Sequence, residues 1–168
     1  MQYTGRVHRF GNNINTDIHI SGKYKPSGTP FTELVNDIFL KLDPEFKKRI
    51  QPGDFIVAGE GFGTTSSRED AIAVLKHYGI RAVIAPSFGY LFFRNAINLG
   101  LYVIRCEIPP EIMTGDRITV DFSNGRIILP TENVKSFEPY PSIIVSIIEN
   151  GGLLPYVKKQ KAYKVEYQ

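Results

Sequence analysis

Residues 54–106 read DFIVAGEGFGTTSSREDAIAVLKHYGIRAVIAPSFGYLFFRNAINLGLYVIRC, and this stretch decides the fold. DFIVAGE (54–60), RAVIA (81–85) and LYVIRC (101–106) are short apolar runs of strand length. Two segments of helical period separate them. In the first, which starts at Ser67, the residues Ala71, Val74, Leu75 and Tyr78 fall at i, i+3, i+4 and i+7. Glu69 and Asp70 sit in its first turn, where the helix dipole favours negative charge, and Gly79 supplies the stop. The second covers about residues 88–99, with Phe93, Ala96 and Ile97 on one face and Gly100 at its end. Strands alternating with helices in this way predict a parallel core with right-handed crossovers.

Working outward, YTGRVHRF (3–10) reads as a further strand and GNNINTD after it as a turn segment, in which Asp17 is expected to bond to backbone. Residues 21–32 hold Gly22, Pro26, Gly28 and Pro30 and read as a loop, in which Lys23 and Lys25 flank Tyr24. TELVNDIFLK (32–41) predicts a short helix with Thr32 as N-cap and Leu34, Ile38 and Phe39 as inward residues; a second helical piece covers 44–49. Past Pro109-Pro110, RITVDF (117–122) and RIILP (126–130) flank Ser123-Asn124-Gly125, a hairpin signal. Residues 141–150 predict a helix with Pro141 at its first position and Gly151-Gly152 after its end. LLPYVKKQ adds a last turn, and the basic tail from about residue 158 is expected to be solvated. The expected architecture is a single α/β domain over 1–168, with a parallel strand–helix core and mixed β-hairpin additions.

Bulk properties narrow the function classes. A chain of 168 residues buries a core without staples. Its formal charge of +3 is too small to imply nucleic acid, though it suits a protein that handles carboxylates. Cys106 is the only cysteine, so neither an internal disulfide nor a cluster held by several thiolates is available to this chain. That usage points to the cytoplasm. No stretch reaches the roughly 18 apolar residues of a membrane span. His8, His19 and His77 lack ligand spacing, so no metal site is assigned.

The segment GEGFGTTSSRED (59–70) carries the chemistry. It joins a buried strand to a helix N-terminus, where free N–H groups and the dipole favour an anion. Ser66 and Ser67 offer hydroxyls, Arg68 a planar fork for a carboxylate, and the glycines allow close backbone approach to a ligand. Three readings compete. One is a plain N-cap, with Ser66 or Ser67 capping and Glu69 or Asp70 completing a capping box. Another is a dinucleotide loop beginning Gly59-x-Gly61, but the third glycine position holds Thr64 and the next strand runs into Pro86 without an acid. The last is a carboxylate site with a serine as base.

GEGFGTTSSRED followed by GIRAVIAPSFGYLFFRNAINLG (79–100) closely resembles the swivelling domain of the aconitase superfamily, and NINTDIHISGKY (13–24) is similar to its Thr-Asp segment and the loop after it. The resemblance covers roughly residues 3–155. It implies an aconitase C-terminal-like swivelling fold and the separate small subunit of a hydro-lyase acting on a 2-hydroxy di- or tricarboxylate, in the isopropylmalate branch ahead of the homoaconitate or dimethylmalate branches. It implies Ser66 as general base, with Ser67 and Arg68 binding the substrate carboxylate. Lys23 and Lys25 lie in the loop that selects the substrate. It also implies a large subunit that carries a 4Fe-4S cluster, and no cofactor bound by this chain. An isolated subunit that awaits such a partner is expected to leave an apolar face open and to self-associate.

The chain departs from the family pattern at three places. Thr65 stands where Gly usually precedes the first serine, Thr64 replaces a residue that is often Cys, and Asp70 stands where His is frequent. A β-branched residue disfavours positive φ, so Thr65 is expected to reshape the loop at the base. Two rival readings come from other classes: a non-catalytic anion-binding or regulatory partner of a large subunit, and RNA binding through the basic tail, against which the sparse cations and lack of an RNA motif argue.

Overall fold

The computed structural model describes residues 1–21, 26, 28–64 and 68–165. Among them, seven strands form one sheet: β1 (Gln2–Arg9), β2 (Phe55–Val57), β3 (Ala82–Ala85), β4 (Tyr102–Arg105), β5 (Arg117–Asp121), β6 (Arg126–Ile128) and β7 (Val134–Ser136). Their order is β4-β3-β2-β1-β5-β6-β7. The first four pair in parallel, and β5, β6 and β7 add antiparallel beside β1. The helices are α1 (Thr16–His19), α2 (Phe31–Leu34), α3 (Phe46–Arg49), α4 (Asp70–His77), α5 (Tyr90–Leu99), α6 (Ser142–Glu149) and α7 (Leu153–Val165).

The parallel strands are apolar at nearly every position because both faces of the sheet are covered. Side chains alternate between two cores. Ile56, Val83 and Val103 pack with Ala71, Leu75, Phe92 and Ala96 from α4 and α5. Phe55, Val57, Ile84 and Ile104 pack on the other side with Ile118, Val120, Ile127 and Ile148. Strands four places apart in a flat sheet would be ~19 Å apart. Yet the ring of Tyr102 on β4 lies 4.0 Å, centroid to centroid, from that of Phe122 at the end of β5, so the sheet curls around this second core. Buried inside, His8 Nε2 meets Asp54 Oδ2 at 2.9 Å, and Asp54 also accepts the N–H groups of Arg6 and Gln51. This ties β1 to the turn before β2.

The expected helix over 32–41 is not one helix. Pro30, not Thr32, sits at the N-cap; α2 ends at Leu34, and a 3-10 turn covers Val35–Asp37. Phe39 has φ 52°, stacks on Phe10 at 4.0 Å and meets Phe46 edge-on at 5.0 Å. Tertiary packing of this aromatic cluster overrides the helical period. The expected last turn after Gly152 is instead the thirteen-residue α7. Short α1 and the exposed strand β7 add to the expected elements.

Candidate functional site

The carboxyl ends of the parallel strands carry the loops of interest, as in open α/β sheets generally. The loop after β2 is braced from both sides. Gly59 N–H donates to Gly11 O at 3.1 Å, Glu60 N–H to Asn12 Oδ1 at 3.0 Å and Gly61 N–H to Ser87 Oγ at 2.9 Å. Phe62 N–H donates to Ser87 O at 3.1 Å and Gly63 N–H to Ile14 O at 2.8 Å. All five donors are thus taken by protein. The glycines have a local reason: a Cβ at Gly59 would lie 1.8 Å from Asn12 Oδ1, one at Gly61 would meet Asn13 Oδ1, and one at Gly63 the ring of Phe92. This corrects the expectation that the glycines let backbone approach a ligand, and it removes the phosphate cradle that a dinucleotide loop needs. The loop is a scaffold for the Ser-Ser-Arg segment beyond it.

Thr64 and Arg68 bracket residues 65–67, which come next in the chain. Ser66 and Ser67 lie outside the described residues, as do Thr65, Lys23 and Lys25. Helix α4 starts at Asp70, later than the expected start at Ser67, with Glu69 at the N-cap and no side-chain cap bond. The N-terminal end of α5 reaches the same place, since a Cβ on Gly89 would lie 2.1 Å from Gly63 O and 2.7 Å from Thr64 Cα. Two helix N-termini therefore converge on the bracket around residues 65–67. Their dipoles favour negative charge there.

Arg68 leaves the bracket toward α1. Its Nε and Nη2 both approach Asp17 Oδ1 at 3.3 Å, in a pair with side chains 40% and 27% exposed. Among the described residues, the side chain of Asp17 thus meets Arg68 rather than the backbone expected of it. Arg68 and Asp70 also line one wall of a cleft of about 190 Å3 whose other wall is Pro26, Gly28, Thr29 and Leu34. Described parts of the 21–32 loop and of the Ser-Ser-Arg loop thus face each other.

Residues 11–17, expected only as a turn segment, hold more of the site than that. Asn12 accepts from the glycine loop, Asn13 holds φ 56° beside it, and Asn15 Oδ1 accepts from Asp17 and Ile18 N–H to start α1. Asn15 before an acidic turn is an N-cap signal that the sequence does carry. His19 Nδ1 accepts Asn15 N–H at 3.1 Å, and burial first, then the charge of Lys41, pushes its pKa below the usual histidine value. Burial likewise pushes the Cys106 thiol up. Among the described residues no three His, Cys, Asp or Glu side chains gather as metal ligands.

Known proteins are similar to this chain over most of its length. The profile of the aconitase C-terminal domain matches residues 7–108. The 3-isopropylmalate dehydratase small subunit 1 of Archaeoglobus fulgidus is 45% identical over 155 residues, covering 92% of this chain and 96% of that one. The isopropylmalate/citramalate isomerase small subunit of Methanocaldococcus jannaschii is 43% identical over 160 residues, covering 94% and 95%. A crystal structure of 3-isopropylmalate dehydratase (LeuD) from the latter organism superposes with a TM-score of 0.88 at 38% identity, over 100% of both chains. The chain belongs to the aconitase C-terminal domain family.

Proposed function

We propose that this chain is the small subunit of a hydro-lyase of the 3-isopropylmalate dehydratase type, working as one domain over 1–168 in a heteromer with a large subunit. The observation that carries the reading is the opposition of Arg68 and the 26–29 segment across one cleft, directly after a braced loop. The names of relatives that match nearly the whole chain support it.

In this reading a small 2-hydroxy dicarboxylate lies at the bracket, and Arg68 and Ser67 hold its carboxylate. Ser66 Oγ, as alkoxide, takes the proton from the carbon beside a carboxylate. The C–H electron pair becomes the new C=C bond, and hydroxide leaves from the adjacent carbon, where the large subunit's cluster would supply the Lewis acid that accepts it. A serine is a poor base at neutral pH and acts only if its alkoxide is stabilised. The converging N-termini of α4 and α5 and the Arg68 charge provide that. Lys23 and Lys25 select the substrate. One cysteine, half-buried and with its thiol pushed up, does not fit a four-iron cluster, and we assign that cluster to the large subunit. We place the enzyme in the cytoplasm on its sparse cysteine usage. Without its partner the chain leaves Ile143 49% and Leu154 74% exposed, and the isolated subunit is expected to self-associate.

Ser66→Ala in the assembled heteromer tests the base. Hydration of the unsaturated isopropylmalate intermediate is expected to fall at least ~100-fold, in the range lost with a positioned proton-transfer group. Unchanged turnover would sink Ser66 as base and favour the non-catalytic reading. A citramalate-type substrate is the second reading, favoured by the name of the Methanocaldococcus relative. A panel of isopropylmalate, citramalate, homoaconitate and dimethylmalate-type acids decides between them.

A further inference from the structure

We infer that Asn12 and Ser87 are positioning residues that set the catalytic loop, which rests on Ser66 being the base. Of the five consecutive N–H groups from Gly59 to Gly63, three go to backbone carbonyls and two to side chains, namely Asn12 Oδ1 and Ser87 Oγ. The side-chain acceptors sit on opposite flanks of the loop. Asn12 belongs to the segment after β1, and Ser87 to the turn between β3 and α5. Each grips the middle of the loop, at Glu60 and Gly61, where no β-ladder reaches.

The same two flanks also govern the far side of the bracket. The Asn12 segment continues through the cap at Asn15 to Asp17, which holds Arg68. The Ser87 turn continues to Gly89, which abuts Gly63 and Thr64. The described residues on either side of 65–67 are therefore held from the same two flanks: the loop up to Thr64 by Asn12 and Ser87, and Arg68 by Asp17. Close packing shows that the fit is tight: Gly59 leaves no room for a Cβ against Asn12, and Asn13 adopts φ 56°, a region an L residue enters at a cost. Neither Asn12 nor Ser87 touches the reacting atoms in this scheme. They act through the geometry of Ser66, where a displacement of about 1 Å costs up to ~100-fold in rate.

The test uses the small subunit assembled with its large subunit. Asn12→Ala and Ser87→Ala each remove one acceptor without adding bulk. Each is expected to lower kcat by about 10- to 100-fold with KM within about two-fold. Heteromer assembly stays intact, while amide exchange speeds up in the peptide spanning 59–64. Asn12→Asp and Ser87→Thr restore an acceptor oxygen and are expected to restore kcat to within a few-fold. Unchanged kcat in both alanine variants overturns the inference. So does a loss of kcat that tracks loss of heteromer or of melting temperature and is not rescued. Because the two residues approach from different segments, misfolding at one leaves the other as the test. Ser66→Ala runs alongside: if it keeps full turnover, the base assignment falls and this inference with it. If it is inactive while both alanine variants turn over normally, only the inference falls.

Discussion

Arg68 and Asp17 are 51 positions apart in sequence and meet at 3.3 Å. An ion pair this exposed contributes ~0–1 kcal/mol to stability, so its value is orientation rather than strength. Asp17 fixes the plane of a guanidinium that, in the proposed reaction, grips a carboxylate. Asp17→Asn keeps the shape and removes the charge. Two effects then oppose: Arg68 loses its anchor, and the site loses a negative charge that repels substrate. With the pair already weak, we expect anchoring to win modestly, with KM rising about 3- to 5-fold, the span of ~1 kcal/mol, and kcat changing little. Steady-state kinetics of the heteromer checks this, and a fall in KM would mean that repulsion dominates. Arg68 is legible in sequence because Ser-Ser-Arg precedes a helix; its partner is not, because α2, α3, β2 and the loops between them separate the two in the chain. The glycines mislead for a related reason. A Gly-x-Gly-x-Gly run looks like a ligand cradle until Asn12, Asn13 and Phe92 are seen to fill the space a Cβ would need.

At the scale of elements, α1 carries a built-in response to pH. Its N-cap Asn15 is also the residue whose N–H reaches His19 Nδ1, so the ring must stay unprotonated there. Burial and Lys41 lower the histidine pKa from 6.5. The folded chain therefore binds fewer protons than the unfolded chain once pH falls below about 6.5, and stability declines as pH falls from there toward the lowered folded value. Urea midpoints at pH 7.5 and 5.0 are expected to differ more for the native chain than for His19→Gln. Equal differences would exclude His19 as the source. Turn chemistry hides α1 from the sequence, since four residues give no period to read. Strand β7 is hidden likewise, because Val134–Ser136 lies exposed at the sheet edge without an apolar alternation. By contrast β2, β3, β4, α4 and α5 are legible in the sequence directly. Their apolar patterns are dictated by burial on both faces of the sheet, the condition under which pattern and structure agree.

Across the whole molecule, one polar cluster locks the end opposite the catalytic loop. Arg81, just before β3, donates to Glu149 Oε1 at 2.7 Å, and Tyr102 O–H donates to the same oxygen at 2.8 Å. The guanidinium lies 3.5 Å over the ring of Tyr3 on β1. Glu149 is the last residue of α6, so a single carboxylate fastens that helix to β1, β3 and β4. Nearby, Lys76 Nζ reaches Leu99 O and Gly151 O, joining the carboxyl ends of α4 and α5 to the turn before α7. Glu149→Gln keeps an acceptor but removes its charge, leaving a half-buried Arg81 without its counter-ion. Charge-assisted bonds of this kind are worth roughly 1.5–3 kcal/mol, so we expect a loss of about 1–2 kcal/mol. For a chain of this size that is a drop in melting temperature of about 3–6 °C. Turnover of the assembled heteromer should be unchanged, because Arg68 and the 59–64 loop lie at the other end of α4 and α5. The cluster also sets an alkaline limit. Burial first, then Glu149, raises the Tyr102 pKa above its usual 10.0, so the folded phenol keeps its proton and its bond past that pH, while the stability it contributes is full below 10.0 and is lost progressively as pH rises from there toward the raised value. Thermal melts of native chain and Glu149→Gln at pH 8 and pH 10.5 test this: both should lose stability at the higher pH while the gap between them persists, because the raised phenol keeps its proton in the folded chain, and a gap that closes would show that Tyr102 titrates near its usual value.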